Sequence, residues 1–408
     1  MVDVTIAPNQ DEFAEISIEA DDVDPEIVKE ITWDEVYLGE SLLTPGLQTS
    51  MSFQSYFHYI NQRNQIKNLD LFKNKVAYID IDRPILKRYG LESSMKVRQI
   101  IYRLANREIY NNNVETFAFH LCDQTLLNDA ATLVSKQWNC KTPSVIVEEV
   151  LSNCAGAPTK IIEPSQPARD YRAENIHPFQ VVAQQAQAAL ANGDDPSFLH
   201  YMTYENYGTH HFRSLKKLCE QEPIMEFYYS EIGAGNGYGN PRGIRTLSFP
   251  CDFDLLSDLL NGVNTNGQPL NTLFTFNPVT KSFNQFGSKV SGCGMGAGTV
   301  KLALSNMNSA KQQNACPDYT HIYHQKRQAR MSLLEKDKIA LKIVVPWNPV
   351  LNVGKIIRLE LLNKINPSVK NYGSGDYLIV NMVHNIKNGG YALTTMDCVS
   401  KTVGQGIV

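Results

Sequence analysis

Residues 178–218 read PFQVVAQQAQAALANGDDPSFLHYMTYENYGTHHFRSLKKL, and three local signals follow one another there. Pro178 suits the first position of a helix, where a missing N–H costs nothing. Phe179, Val182, Ala183, Ala186, Ala189 and Leu190 then recur at helical spacing, and Asn192-Gly193 supplies a stop. FLHYMTY follows as a strand with Phe198, His200, Met202 and Tyr204 on one face. Glu205-Asn206-Tyr207-Gly208 reverses the chain, and THHFRSL returns as a second strand. A helix followed by a hairpin requires neither catalyst nor cofactor, so the stretch predicts a packing and docking module.

Working outward, residues 123–225 form the α+β unit around this stretch. Asp123 is placed to cap a helix with the apolar set Leu126, Leu127, Ala130, Ala131, Val134 and Trp138. Thr142-Pro143 starts a second helix carrying Val145, Ile146, Val150 and Leu151 and ending near Gly156. Pro158, Pro164 and Pro167 then lead to the Pro178 helix.

Residues 31–122 give strand after strand. In GLQTSMSFQSY, Leu47, Met51 and Phe53 alternate with Gln48, Ser50, Ser52 and Gln54. NKVAYIDI follows, and MKVRQIIYRLANREIY and VETFAFHL flank Asn111–Asn113 as a long antiparallel hairpin. Strands and helices do not alternate, so an antiparallel barrel or sandwich is expected and a parallel, doubly wound sheet is not. Residues 226–408 return to strands. LKIVVPWNP, NVGKIIRLEL, GDYLIVNMVHNI and YALTTMDCV are four of them, and Asn388-Gly389-Gly390 turns between the last two. TLFTFN and SFNQF lie earlier, between the glycine-rich stretches 233–243 and 291–298. The whole is a mainly β, α+β chain: two antiparallel barrel-like domains, 31–122 and 226–408, around an inserted helix-plus-hairpin module. The first domain is expected to be closed by strands arriving after the insert. Residues 1–30, with ten acidic residues and one lysine, predict a solvated arm.

The chain has 408 residues, 43% of them hydrophobic and 20% charged, enough for two to four soluble domains. A net charge of −4 argues against a general nucleic-acid-binding surface. No apolar run approaches membrane-spanning length, and the N-terminus lacks the basic and apolar parts of a signal peptide, so assembly in a cytoplasm is expected. The eight cysteines form no CxxC or other close pair and read as scattered, reduced thiols.

PFQVVAQQAQAAL followed by FLHYMTYENYGTHHFRSL resembles the Pro-Phe helix and hairpin of baseplate hub proteins from contractile-tailed phages, relatives of the N-terminal half of type VI secretion spike proteins. FHLCDQTLLNDAATLVSKQW, VIVEEVLSN and IIEPSQPARDY resemble the run before that helix. Gly375, Tyr377, Ile379, His384 and Tyr391 stand at the places of the family's closing pattern. The resemblance spans roughly residues 30–400 and implies a homotrimer whose paired tail-tube-like barrels make a pseudo-sixfold ring. Its expected partners are the tail tube protein on one face, a trimeric spike on the other and baseplate wedge or other hub proteins around it. Genome DNA would pass the lumen without specific binding. The spike is expected to be a separate polypeptide, and the protein is expected in the virion tail baseplate.

Chemistry is weakly represented. His210-His211 are adjacent on a strand and point to opposite faces, so they do not share a metal ion. His321 and His324 lack the glutamate of an HExxH pair. SGCGMGAG lacks the Gly-Lys-Ser/Thr ending of a phosphate loop, and Cys293 has no neighbouring base. Asp252 and Asp254 sit where capping of a helix at 255–262 explains them. No catalytic residue, cofactor or metal is assigned. A tail-tip cell-wall hydrolase using Cys293 or the His321/His324 pair, and a component of a non-phage contractile injection system, stand as the alternatives. Tyr204, Tyr207 and Arg213 of the hairpin are the candidate subunit or spike contacts, because tyrosine and arginine are favoured at interface centres.

Overall fold

A computed structural model of the protein describes residues 15–20, 32–56, 72–109, 114–192, 195–229, 240–251, 256, 272–277, 281–286, 300–304, 326–334, 338–361 and 371–401. The first region is all strand: β1 (Glu15–Ala20), β2 (Thr32–Ser41), β3 (Gln48–Tyr56), β4 (Val76–Asp82), β5 (Ser94–Ile109) and β6 (Val114–Cys122). The period-two pattern works as expected. Leu47 and Met51 are buried, as are Val36 and Leu38 of β2 and Ile79 and Ile81 of β4. The acidic arm departs from expectation. The alternating EISIEA pairs antiparallel with β4, and Ile16 packs against the core, so part of the arm is a sheet edge.

The middle region holds α1 (Gln124–Ala131), β7 (Val134–Lys141), α2 (Pro143–Val150), β8 (Thr159–Ile162), β9 (Arg169–Ile176), α3 (Pro178–Ala188), β10 (Phe198–Thr203), β11 (Thr209–Ser214) and α4 (Leu215–Cys219). Asp123 caps α1, accepting from the Thr125 backbone N–H at 2.7 Å. The first predicted helix runs too far, however, since Val134 and Trp138 lie on β7, paired with β9. A spacing of four satisfies both a helical and a strand period, and both side chains are buried either way. α3 begins at Pro178 as predicted but ends at Ala188, and its buried face carries Val181 and Gln185, with Ala183 exposed. Beyond it Leu190 and Ala191 form bridges to Gln166 and Asp195, which take the backbone groups that a longer helix would have used.

The last region contains β12 (Met225–Tyr229), β13 (Thr246–Ser248), β14 (Thr272–Asn277), β15 (Ser282–Phe286), β16 (Val300–Leu304), α5 (Gln328–Ser332), β17 (Leu341–Pro346), β18 (Ile356–Leu361), β19 (Gly375–Lys387) and β20 (Ala392–Ser400). The four predicted C-terminal strands are β17 to β20, with Gly389 at φ +62 in the last turn. No helix among the described residues is long and apolar enough to cross a membrane.

Strands from the first and last regions share one sheet, ordered β1-β4-β5-β6-β3-β2-β19-β20-β17-β13, with β18 and β12 branching from β19. The long β19 makes the join. Gly375–Leu378 pairs with β18, and Asn381–Lys387 pairs with β2. Its register with β20 shifts between Ile379 and Asn381, where it passes from one partner to the other. Neither region closes its ladder into a ring among the described residues. All pairings in this sheet are antiparallel except β12 with β18.

Three apolar cores result. One lies in the last region, one in the first, and one between β7, α2, α3 and the hairpin. The hairpin contributes to all three: Leu199 and Tyr201 to the first of these, Met202 and Tyr204 to the second, Phe198 and Phe212 to the third.

Candidate assembly interface

β10 and β11 pair in register from Phe198↔Ser214 to Thr203↔Thr209. Burial is not confined to the face of Phe198, His200 and Met202: every residue of β10 is buried. One face meets α3, where Phe198 stacks on Phe212 at 4.8 Å between ring centroids, and Phe179 lies edge-on to His200 and His210. The other face meets the last region. There a Cβ at Gly354 would lie 2.6 Å from the Tyr201 hydroxyl, so glycine permits the close approach.

The polar side chains inside this sandwich are tied together. Thr125 Oγ1 donates to Asp123 and so accepts from His210 Nε2 at 3.0 Å. That fixes the His210 tautomer and leaves its Nδ1 to accept from His200 Nε2 at 3.1 Å. On the opposite face His211 Nε2 meets Thr203 Oγ1 at 3.0 Å, and its ring stacks on Tyr201 at 4.6 Å. Burial holds all three imidazoles neutral: it lowers His210 to about 4 and His211 to about 3, and puts His200 well below the usual range. His210 and His211 indeed point to opposite faces. Among the described residues no group of three or more His, Cys, Asp or Glu is arranged to hold a metal ion.

Glu40 locks the hairpin to both β regions. This buried carboxylate accepts from the Tyr204 backbone N–H at 2.7 Å through Oε1 and from the Val353 backbone N–H at 2.9 Å through Oε2. Burial pushes it up to about 8, against the two N–H donors, which favour its charge. Arg327 holds the free edge of β10, donating to the carbonyls of Pro196 at 2.6 Å and Phe198 at 3.0 Å. Burial lowers its guanidinium to about 10. Arg330 sits 3.6 Å from Asp195, a buried ion pair beside it. Neither Glu40 nor Arg327 stands out in the sequence. For Glu40 a signal exists, since the alternation Val36, Leu38, Glu40, Leu42 places an acid on the core face.

Of the three candidate contact residues, Tyr204 and Tyr207 lie together at the hairpin tip and Arg213 lies apart. Tyr204 is buried within the chain, with its hydroxyl donating to the Gln48 carbonyl at 3.0 Å and lying 3.1 Å from Thr49 Oγ1. It anchors the hairpin to the first region and is no surface residue. Arg213 is half-buried next to Tyr201, about 13 Å along β11 from the turn. Tyr207 alone is displayed, 48% exposed at the tip. Phe198 and Phe212 fill the module's own core. His321, His324, Cys293, Asp252, Asp254, the 291–298 stretch and the Asn111–Asn113 turn lie outside the described residues.

No family model and no curated protein matches the chain. Solved structures do match it over nearly its whole length. A tail protein from Neisseria meningitidis MC58 aligns with a TM-score of 0.56 at 10% identity, covering 95% of this chain and 96% of that one. The 43 kDa tail protein of prophage MuSo2 from Shewanella oneidensis aligns with a TM-score of 0.57 at 10% identity, covering 96% and 99%. A chain of the Francisella PdpA–VgrG complex aligns with a TM-score of 0.50 at 10% identity, and this protein spans 58% of it. The protein therefore shares the fold of these phage tail proteins and of a chain of the PdpA–VgrG complex.

Proposed function

We propose that the protein is the structural baseplate hub of a contractile phage tail, a homotrimeric ring that joins the hexameric tail tube to the trimeric central spike. The observation that carries this reading is the end-to-end fold match with two tail proteins, 95–96% of this chain against 96–99% of theirs. Symmetry supplies the physical logic: two tube-like β regions in each of three subunits present six similar surfaces to a hexamer. A sheet continuous through both regions, locked by the hairpin, suits a part that transmits load without hinging. The net charge of −4 supports a lumen of polar, acidic or mixed character through which DNA passes unbraked, since phosphate contacts add affinity by counterion release. No catalytic role is assigned.

Light scattering on the purified chain, and microscopy of the chain co-assembled with its tube and spike partners, test the reading. A trimer and a ring between the two partners are expected; a stable monomer that joins neither overturns it. Salt-sensitive DNA binding by the ring would overturn the lumen assignment. The likeness to a VgrG-complex chain favours a second reading, a hub or spike component of a non-phage contractile injection system, and the neighbouring genes decide between the two.

A further inference from the structure

A groove of about 590 Å³ opens at the hairpin tip, between Glu92, the start of β5 (Ser94 to Lys96), residues Tyr204–Tyr207 and Pro349. Its rim is conformationally unusual. Asn206, Tyr207 and Gly208 have φ of +52, +64 and +111 in succession. Asparagine and glycine tolerate such values, whereas a bulky tyrosine at positive φ is an outlier that persists only where its surroundings impose it. The surroundings are rigid. Glu205 pairs with Lys355 at 3.2 Å, and Tyr204 is bonded to Glu40 and Gln48. A Cβ at Gly208 would come within 3.0 Å of Asp123. The effect is to fix Tyr207, half exposed, in the lining of the groove, its hydroxyl without a hydrogen bond among the described residues.

The charges around the groove are unequally satisfied. Lys96 is engaged by Asp80 at 3.4 Å and Glu205 by Lys355. Glu92 is exposed and has no ion-pair partner among the described residues. Met95 and Pro349, both buried, add apolar surface to a lining that is otherwise largely polar. A free carboxylate, a half-exposed tyrosine ring and the apolar atoms of Met95 and Pro349 together match one kind of side chain: a long aliphatic stem that ends in a cation.

We propose that this groove seats an extended basic segment of a protein partner, with an arginine or lysine lying under Tyr207 and pairing with Glu92. The proposal deepens the assembly role above and rests on it for the partner's identity, but it is testable on the isolated full-length chain. Hexa-arginine is titrated into the wild-type chain, with hexa-glutamate as control, and into Tyr207→Gly, Glu92→Lys and Glu92→Gln. Hexa-arginine binding is expected to weaken by about tenfold or more in Tyr207→Gly and Glu92→Lys, as expected for loss of a desolvated cation–π and ion pair. Glu92→Gln should show a smaller loss. The melting temperature of Tyr207→Gly should be unchanged or higher, because glycine adopts this φ freely. Binding unchanged in all three variants overturns the seat, and if Tyr207→Gly fails to fold, unchanged binding in Glu92→Lys and Glu92→Gln overturns it equally. A change of oligomeric state in Tyr207→Gly alone would assign the groove to a second copy of this chain and overturn the partner assignment. Trimer formation read in parallel separates the two proposals: a trimer with variant-insensitive peptide binding overturns only the seat, and a monomer with variant-sensitive binding overturns only the hub.

Discussion

Two small sheets in this chain follow one plan and meet opposite fates. In the first, β10 and β11 form an antiparallel hairpin to which β8 adds in parallel. In the second, β14 and β15 form the antiparallel pair and β16 adds in parallel. Both are rich in aromatic and β-branched residues. Yet β10 is buried throughout, whereas four of the five residues of β15 are exposed, and Phe283 and Leu302 stand 69% and 76% exposed. Topology and strand propensity do not separate them; the layers packed on them do, with α3 on one face of the hairpin and the last region on the other. The first sheet pairs His200 with His210 and Thr203 with His211. In the second, the buried Thr275 hydroxyl has no partner among the described residues. The first sheet too encloses polar atoms without a partner among the described residues, His200 Nδ1 and His211 Nδ1, beside the histidine nitrogens that are bonded.

Acid should break the first sheet and spare the second, and this is the largest effect expected. His210 and His211 are held near 4 and 3 in the folded chain, and His384 of β19 near 3, all by burial; Lys160, Arg213 and Lys355 add to the lowering for the first two. The unfolded chain protonates these groups near 6.5, so it binds more protons than the folded chain below that value. Stability therefore falls as pH drops from about 6.5 toward 4, by up to about 1.4 kcal/mol per pH unit for each histidine. Glu40 acts in the opposite sense. Its folded value of about 8 lies above the unfolded one, so its contribution is present below 4.5 and lost as pH rises through 8. A denaturant series from pH 4 to 9 should show a maximum near neutrality. Hydrogen exchange at pH 4.5 should open β10 and β11 before β14. Equal protection in both sheets at acid pH would remove the contrast.

Replacing Phe212 with alanine comes next. Its ring is fully buried against Phe198 in the core shared with α3, and truncation of such a side chain costs about 3–5 kcal/mol. Chemical denaturation should show that loss, together with reduced protection of α3. A cost below about 1 kcal/mol would mean that the hairpin is not the keystone.

Much of the fold is legible in the sequence, for physical reasons that also explain the failures. The first-region strands announce themselves because one face is core and the other solvent, as with Leu47 and Met51 against Gln48 and Ser50. The hairpin is legible from its Asn-Tyr-Gly turn. Its double burial is not, because Thr203 and His211, on the face opposite Phe198, look solvated until their partners are known. Val134 and Trp138 are ambiguous at a spacing of four. Tyr204 reads as an interface aromatic but is consumed by contacts to Gln48 and Thr49, the latter 155 residues earlier in the chain. The pairing of β19 with β2 joins Asn381 to Ser41, and no local pattern carries a pairing at that separation.

Glu40 sharpens the comparison from the first region. Glu40→Ala leaves the buried N–H groups of Tyr204 and Val353 without an acceptor, and each orphaned donor costs about 1–3 kcal/mol, so a loss of about 3 kcal/mol is expected. Glu40→Gln keeps one acceptor oxygen, should lose less, and should flatten the alkaline limb of the pH profile, because it does not titrate. If Glu40→Ala is neutral while Phe212→Ala is not, the hairpin is held by α3 alone and not by the two β regions.

The smallest effect belongs to Phe283 and is informative because it is small. The ring packs on Phe276 at 4.7 Å but is otherwise open to solvent, so Phe283→Ser removes little buried area from the monomer. Surface substitutions of this kind shift stability by within about 0.5 kcal/mol. An unchanged denaturation midpoint in the isolated chain is the expected outcome. The same variant should then be carried into the assembly with the proposed tube and spike partners. If its assembly is also unchanged, the second sheet is a solvated ornament of the fold. If assembly weakens while the monomer's stability does not, then the two sheets divide the labour: one closes the chain upon itself, and the other is completed only by a neighbour.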